Sequence, residues 1–383
     1  METSSYQPKT PIEYCGFFNQ TGYGKAASTN VFALHQTGRY DVRIHCINTR
    51  PTADSFTDED WNLLRSMRTK RESSDAIQIV HSIPDQYRRC PFRKRRIAFA
   101  TFETFDPPEH WIGHLNKCDA VFVPSEFNLR TFSRAGVKVP IFHIPHVLDL
   151  SVWNADIEPL YKQPEFVFAF VGTWRRRKGY DLLLEAYMRE FGPDENVRLL
   201  IKTDSANKAS ESIRSMKQGL QKKETAPITL ERKILREPMM ARFLKSANCL
   251  VSPTLGEGFG LPPLQAMAVK VPVIVTNFAG CQDYADETNC TLLEPSGFLC
   301  HDKLDPIPQF AYKKWPRVKV LDVQEAMRAV FENYQEAQRK ADIAYERVQN
   351  NYGYDTFVAG FDQMLENVYS GGHAKTQAIQ RYA

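Results

Sequence analysis

The chain has 383 residues, of which 43% are hydrophobic and 25% charged, the balance of a folded globular protein too long for one ordinary core and suited to two domains. Lys and Arg number 49 against 45 Asp and Glu, a formal net charge of +4, so charge alone gives no argument for a nucleic-acid partner and is compatible with a small anionic ligand. The eight cysteines, at 15, 46, 90, 118, 249, 281, 290 and 300, contain no CxxC pair, which excludes a zinc ribbon or thioredoxin-type site and points to reduced, mostly buried thiols in a cytoplasmic protein.

The first residues, METSSYQPKT, are polar and carry no apolar core, so no secretory leader is expected. No apolar run reaches the ~18–20 residues of a membrane span. Short β-rich runs then alternate with helical patterns. Strands are predicted at 12–18, 42–47, 76–80, 96–102, 120–124 and 140–144, with helices at 23–37, 57–70, 108–117 and 125–135. Such alternation builds a parallel sheet covered on both faces. A polar, proline-bearing stretch at 149–165 reads as an interdomain linker. The alternation restarts with strands at 166–172, 197–202, 227–231, 248–252 and 272–276 and helices at 179–190, 206–222, 237–246 and 261–268. Amphipathic helices at 322–350 and 355–369 close the chain, and the last dozen residues are expected to fray. The expected division is an amino-terminal domain over 1–155, a second domain over 156–353, and a final helix at 354–370 that packs back on the first.

Two open α/β sheets leave a cleft, and ligands in such sheets bind beyond the carboxyl ends of the strands. The strand FVFAFVG ends at Gly172 and is followed by Thr173, Trp174, Arg175, Arg176, Arg177, Lys178 and Gly179, with a helix beginning at once. Cations beside the free N–H groups of a helix start make an anion site, and arginine grips phosphate oxygens with two parallel bonds. A diphosphate fits such a turn; a solvated basic loop is the plainer alternative. The strand NCLVS ends in PTLG and then EGFGLPPLQ, residues 257–265. Glycines beside Glu257 allow close approach of a ligand to the backbone, and Pro262 and Pro263 start a helix. That geometry aims Glu257 into the cleft, where a carboxylate accepts from sugar hydroxyls, with Gln265 about one turn into the helix.

Together these two segments resemble the retaining glycosyltransferases of family 4, which have the GT-B fold of two Rossmann-like, doubly wound domains facing a central cleft. The likeness continues through Ala266-Met267-Ala268, the strand VPVIVTN, Gly280 and Asp283, and more loosely through Thr21-Gly22-Tyr23-Gly24-Lys25, 123–127 and 144–147 in the first domain. The resemblance implies that Arg175 and Lys178 hold a donor diphosphate and that Glu257 meets the donor sugar. It implies further donor contacts from Gly22, Gly24, Gly172, Thr173, Gly258, Phe259, Gly260, Leu261 and Gln265. It also implies retention of anomeric configuration, a nucleotide-diphospho-sugar as donor substrate with no cofactor and no metal, and a glycan or other hydroxyl acceptor. The absence of a DxD triplet agrees with metal independence.

The sequence departs from the family pattern twice. Gln265 stands where the second acid of the Glu-x7-Glu motif binds ribose, which weakens that contact because a bond to a charged group is worth ~1.5–3 kcal/mol and a neutral one ~1. Glu103, in ATFET, stands where many members carry a sugar-contacting His; it is expected either to act on the sugar or to cap the next turn. His110 and His114 lack the Glu of an HExxH site, His146 suits a hinge as well as the cleft, and Gly22-Tyr23-Gly24 lacks the ending of a P-loop. No nucleic-acid partner or transmembrane segment is expected, and peripheral membrane contact is left open. A degenerate, non-catalytic sugar-nucleotide or glycan binder of the same fold is the alternative to a hexosyltransferase; a GT-B phosphorylase or epimerase is a third reading.

Overall fold

A computed structural model describes residues 9–47, 53–301 and 304–369. The predicted fraying at the end of the chain lies outside them. The first unit alternates β1 (Thr10–Gly16), α1 (Gly22–Gln36), β2 (Tyr40–Cys46), α2 (Asp58–Thr69), β3 (Ile77–His81), β4 (Arg96–Phe99), α3 (Glu109–Leu115), β5 (Ala120–Val123), α4 (Glu126–Arg134) and β6 (Ile141–His143). The second runs β7 (Phe166–Val171), α5 (Tyr180–Glu190), β8 (Val197–Lys202), α6 (Ala206–Gly219), β9 (Ile228–Glu231), α7 (Glu237–Lys245), β10 (Cys249–Ser252), α8 (Leu261–Ala268), β11 (Val273–Thr276) and β12 (Thr291–Leu293). A hairpin of β13 (Phe298–His301) and β14 (Lys313–Pro316), then α9 (Val320–Glu332), α10 (Tyr334–Asn351) and α11 (Tyr354–Tyr369), complete the described chain.

Both large sheets are parallel, with six strands each. The first has the order β2-β1-β3-β4-β5-β6 and the second β12-β11-β10-β7-β8-β9. In the second sheet the winding reverses between β7 and β10, so the loops after these two strands flank the topological switch point, the place where open α/β sheets bind ligands. The Val, Ile and Phe runs of the central strands are buried along their length, as parallel strands covered on both faces require.

The structure differs from the expected elements in five places, the first being the edge strand β12, which was not predicted. The strand expected at 96–102 ends at Phe99, because 100–104 leave the sheet to meet the second unit. The helix expected at 322–350 is two helices broken at Asn333. The hairpin β13–β14 has no counterpart in the predicted elements. The stretch at 149–165 is no free linker: Trp153 is wholly buried and donates its indole N–H to Glu237 at 2.7 Å. Helix α11 lies on the first unit, with Phe357, Phe361 and Met364 in the core beside Tyr40 and Phe122. Among the described residues no helix is long and apolar enough to cross a membrane. The eight cysteines are free, six buried and Cys300 exposed.

Candidate active site

The loop after β7 is shaped by Gly179. After a 3-10 turn at Arg176–Lys178, Gly179 adopts φ +73° and caps α5. A Cβ there would lie 1.9 Å from the carbonyl oxygen of Pro253, so only glycine lets the β7 and β10 loops touch. They are then tied by backbone: Leu255 N–H donates to the Arg177 carbonyl at 2.8 Å, and Thr254 Oγ1 reaches the same oxygen at 3.2 Å. Gly260, at φ +90°, turns the second loop into α8. Two segments about 80 residues apart in the chain form one surface at the switch point.

That surface brings Lys178 and Glu257 together, Nζ to Oε1 at 2.5 Å, with the two side chains 17% and 10% exposed. Thr254 Oγ1 lies 3.3 Å from the same carboxylate oxygen. Arg175 is the more open cation, 34% exposed, and bonds Asp305 at 2.8 Å. Arg177 is the hub. Its guanidinium donates to the Asp305 carboxylate at 3.1 Å and to the Gly256 carbonyl at 2.6 Å, and lies 3.7 Å from Glu103 and 4.0 Å from Glu257. Burial works against its charge, and Glu103, Glu257 and Asp305 outweigh that effect and leave its pKa raised. Sequence reasoning passed over both Arg177 and Asp305. The first was hidden inside a basic run, where the turn, not the composition, decides which side chain points inward. The second lies 128 positions from the arginine it binds and carries no local signal.

Glu103 reaches this hub from the first unit. Burial raises its pKa, with Arg177 and then Lys178 acting the other way. Its carbonyl would lie 2.5 Å from a Cβ on Gly256, and Thr101 Cγ2 would lie 1.9 Å from one on Gly258, so both glycines are sites of close contact between the units. Ser125 Oγ donates to the Gly258 carbonyl at 2.7 Å. Tyr23, in the first turn of α1, donates to the Thr101 carbonyl at 3.1 Å and feels the charges of Glu103 and Arg177.

The other predicted residues are spread more widely. Gly172 extends the β7–β8 ladder, donating to Lys202 at 3.1 Å, and Thr173 follows it, half-buried. Gln265 is buried in α8, and its side chain makes no hydrogen bond among the described residues. Leu261 opens α8, half-buried. Phe259, expected to touch the donor, turns its ring into the core against His146, Tyr284 and Tyr352, which leaves only its backbone facing the loop. Gly22 and Gly24 sit in the first turn of α1, where the Gly24 N–H donates to Thr21 Oγ1 at 3.2 Å as a helix cap. Tyr23, between them, bonds the Thr101 carbonyl beside the loop that carries Glu103. His146 is buried and stacked on His81, and burial pushes its pKa down to about 3, so the ring is a neutral core group. His110 bonds Asp85 at 2.6 Å on the surface. Among the described residues no group of His, Cys, Asp or Glu is arranged to hold a metal ion.

Much of this surface lies in a stretch that resembles known proteins. Residues 165–304 match the family model described as glycosyl transferases group 1. The chain is 25% identical over 262 residues to a D-inositol 3-phosphate glycosyltransferase of Paenarthrobacter aurescens (strain TC1), covering 63% of this chain and 57% of that protein. It is 24% identical over 220 residues to the alpha-1,3/1,6-mannosyltransferase ALG2 of Homo sapiens, covering 52% and 50%. The chain thus spans about half the length of these two curated relatives, and 27% of a further one from Pseudarthrobacter chlorophenolicus. Among solved structures, sucrose-phosphate synthase from Thermosynechococcus elongatus superposes with a TM-score of 0.66 at 15% identity, over 94% of this chain and 100% of that one. Anabaena Alr3699/HepE in complex with UDP and glucose gives 0.66 at 11% identity, over 94% and 100%. At these identities the likeness shows the fold, which is that of the GT-B glycosyltransferases.

Proposed function

We propose that this chain, whose residues 165–304 are a glycosyl transferases group 1 domain, transfers a hexose-type sugar from a nucleotide-diphospho-sugar to a glycan or other hydroxyl acceptor. The observation that carries the reading is the Lys178–Glu257 pair at 2.5 Å, built from the two loops that flank the switch point of the second sheet. A sugar nucleotide lying there has its diphosphate at the 175–178 turn and its sugar toward Glu257. The curated relatives are named as glycosyltransferases, and solved relatives of the same fold are described with UDP bound, which supports a donor of that class.

Lys178 then neutralises charge growing on the departing diphosphate, and Arg175 and Arg177 share that work. Glu257 anchors sugar hydroxyls, and Lys178 fixes its position. Glu103 faces the same point from the first unit, where a carboxylate accepts a sugar hydroxyl or stabilises positive charge developing at the anomeric carbon. Gly256 and Gly258 bring the two units together at 101–103, and closure of the units over a bound donor keeps water from it, which limits donor hydrolysis. Retention of configuration, independence of metal, the absence of any cofactor beyond the donor, a cytoplasmic location and the absence of a nucleic-acid partner complete the proposal. A non-catalytic binder would hold the donor without releasing nucleoside diphosphate.

The test is release of nucleoside diphosphate from a panel of UDP-, GDP- and ADP-hexoses with glycan acceptors. Wild-type protein is expected to turn over one of them, and Lys178→Ala to lower turnover by ~10²–10³. Equal turnover by the variant removes Lys178 from the mechanism, and no release from any donor favours the non-catalytic binder.

A further inference from the structure

The 175–178 turn already has its counter-charges. Arg176 pairs with Asp181, and the other three cations, Arg175, Arg177 and Lys178, meet three carboxylates, Glu103, Glu257 and Asp305, so the formal charges cancel. A diphosphate brings further negative charge to a turn whose own charges already cancel, and a carboxylate bound to its arginines competes with it for the same donors.

Asp305 is the one delivered by a separate piece of chain. Residues 304–316 leave the second unit and fasten to the first. Gln309 Nε2 donates to Asp85 Oδ2 at 3.0 Å. Phe310 stacks on Phe102, ring centres 5.4 Å apart, while the Arg177 guanidinium lies 5.3 Å over its face. Lys313 Nζ donates to the Asp106 carbonyl at 2.5 Å, and Thr104 Oγ1 donates to the Lys314 carbonyl. One end of this strap sits on the arginines and the other on the loop that carries Glu103.

We propose that Asp305 is a resident counter-anion that sets donor affinity: a donor diphosphate binds by taking Arg175 and Arg177 from this carboxylate, and the strap 304–316 yields as it does so. The proposal rests on the donor site described above. The exchange has a natural starting point at Arg175, whose side chain is 34% exposed against 8% for Arg177. Phosphate oxygens offer the guanidinium the same paired, charge-assisted bonds that Asp305 offers now. Because apparent affinity scales with the fraction of molecules whose site is open, loosening the far anchors of the strap tightens donor binding without any change at the arginines. The strap thereby couples the donor site to the contacts between the two units.

The test is calorimetric titration of the full chain with inorganic pyrophosphate and, separately, UDP. Asp305→Asn is expected to bind pyrophosphate about tenfold tighter than wild type, the usual scale of one like-charge contact removed from a partly buried anion site. The double variant Gln309→Ala/Lys313→Ala leaves every ion pair of the hub in place and is expected to bind it about threefold tighter or more. Amide exchange of 304–316 in wild type should speed up when pyrophosphate is added. Because Asp305→Asn uncovers a buried guanidinium, the anchor variant decides the matter if the single variant fails to fold. Unchanged or weaker affinity in the folded variants, with wild type still binding, overturns the proposal and leaves the donor site standing. Pyrophosphate and UDP binding that survives Lys178→Ala at full strength removes the donor site itself, and the role of Asp305 with it.

Discussion

At the scale of single residues, Gln265 is the most informative departure from the family pattern. It is buried one turn into α8, and its side chain makes no hydrogen bond among the described residues, so its amide is available to a ligand hydroxyl. Gln265→Glu replaces a neutral acceptor by a charged one, and nucleoside diphosphate is expected to bind about three- to tenfold tighter. Calorimetric titration decides it: an unchanged or weakened affinity means that this side chain does not reach the ribose. Glu257 and Lys178 were legible in the sequence because each follows a buried strand and is framed by glycine, and a parallel sheet gathers such positions at one edge. Arg177 and Asp305 were not, since the bond between them depends on how residues far apart in the chain come together. For Phe259 the sequence did not show which part of the residue would face a ligand: its ring turns into the core, and only its backbone borders the loop.

At the scale of elements, most strands and helices of both units follow from their patterning, and the pieces missed are the three-residue edge strand β12 and those that serve the contact between units. The hairpin β13–β14 was hidden because neither strand is a buried apolar run: Phe298, Leu299 and Cys300 are exposed, and β14 opens on two lysines. Strand β4 stops early because 101–103 pack on glycines of the second unit. A different joint, between β6, α4 and the turn at 279–283, makes a pH prediction. His143 Nε2 lies 3.2 Å from Asp283 and Nδ1 lies 3.7 Å from Glu126. Burial opposes the charge on His143, but bonds to Asp283 and Glu126 outweigh it and raise its pKa to about 9. A pKa raised on folding adds stability that is fully present below the unfolded value of ~6.5 and is lost as pH rises through about 9. Between pH 6.5 and 10 the unfolding free energy of wild type should fall by ~2–3 kcal/mol more than that of His143→Ala. Denaturant titrations that fall in parallel for the two proteins would exclude this pair as the cause.

At the scale of the whole molecule, two parallel sheets meet so that the switch point of the second faces residues 101–103 of the first. The two-unit plan was readable from the restart of strand–helix alternation near residue 166. The way the units press together was not, because contacts such as Gly258 on Thr101, Ser125 on Gly258 and the strap on Asp85 join residues with no common pattern. The central claim is that the second unit holds a donor diphosphate at the 175–178 turn. The most direct measurement is thermal unfolding with UDP, GDP and ADP in excess, since a ligand at about 100 times its Kd adds ~2.7 kcal/mol of stability. One of the three should raise the Tm of wild type by several degrees and leave Lys178→Ala almost unmoved. A wild-type Tm indifferent to all three, or a shift that persists in Lys178→Ala, would contradict the account.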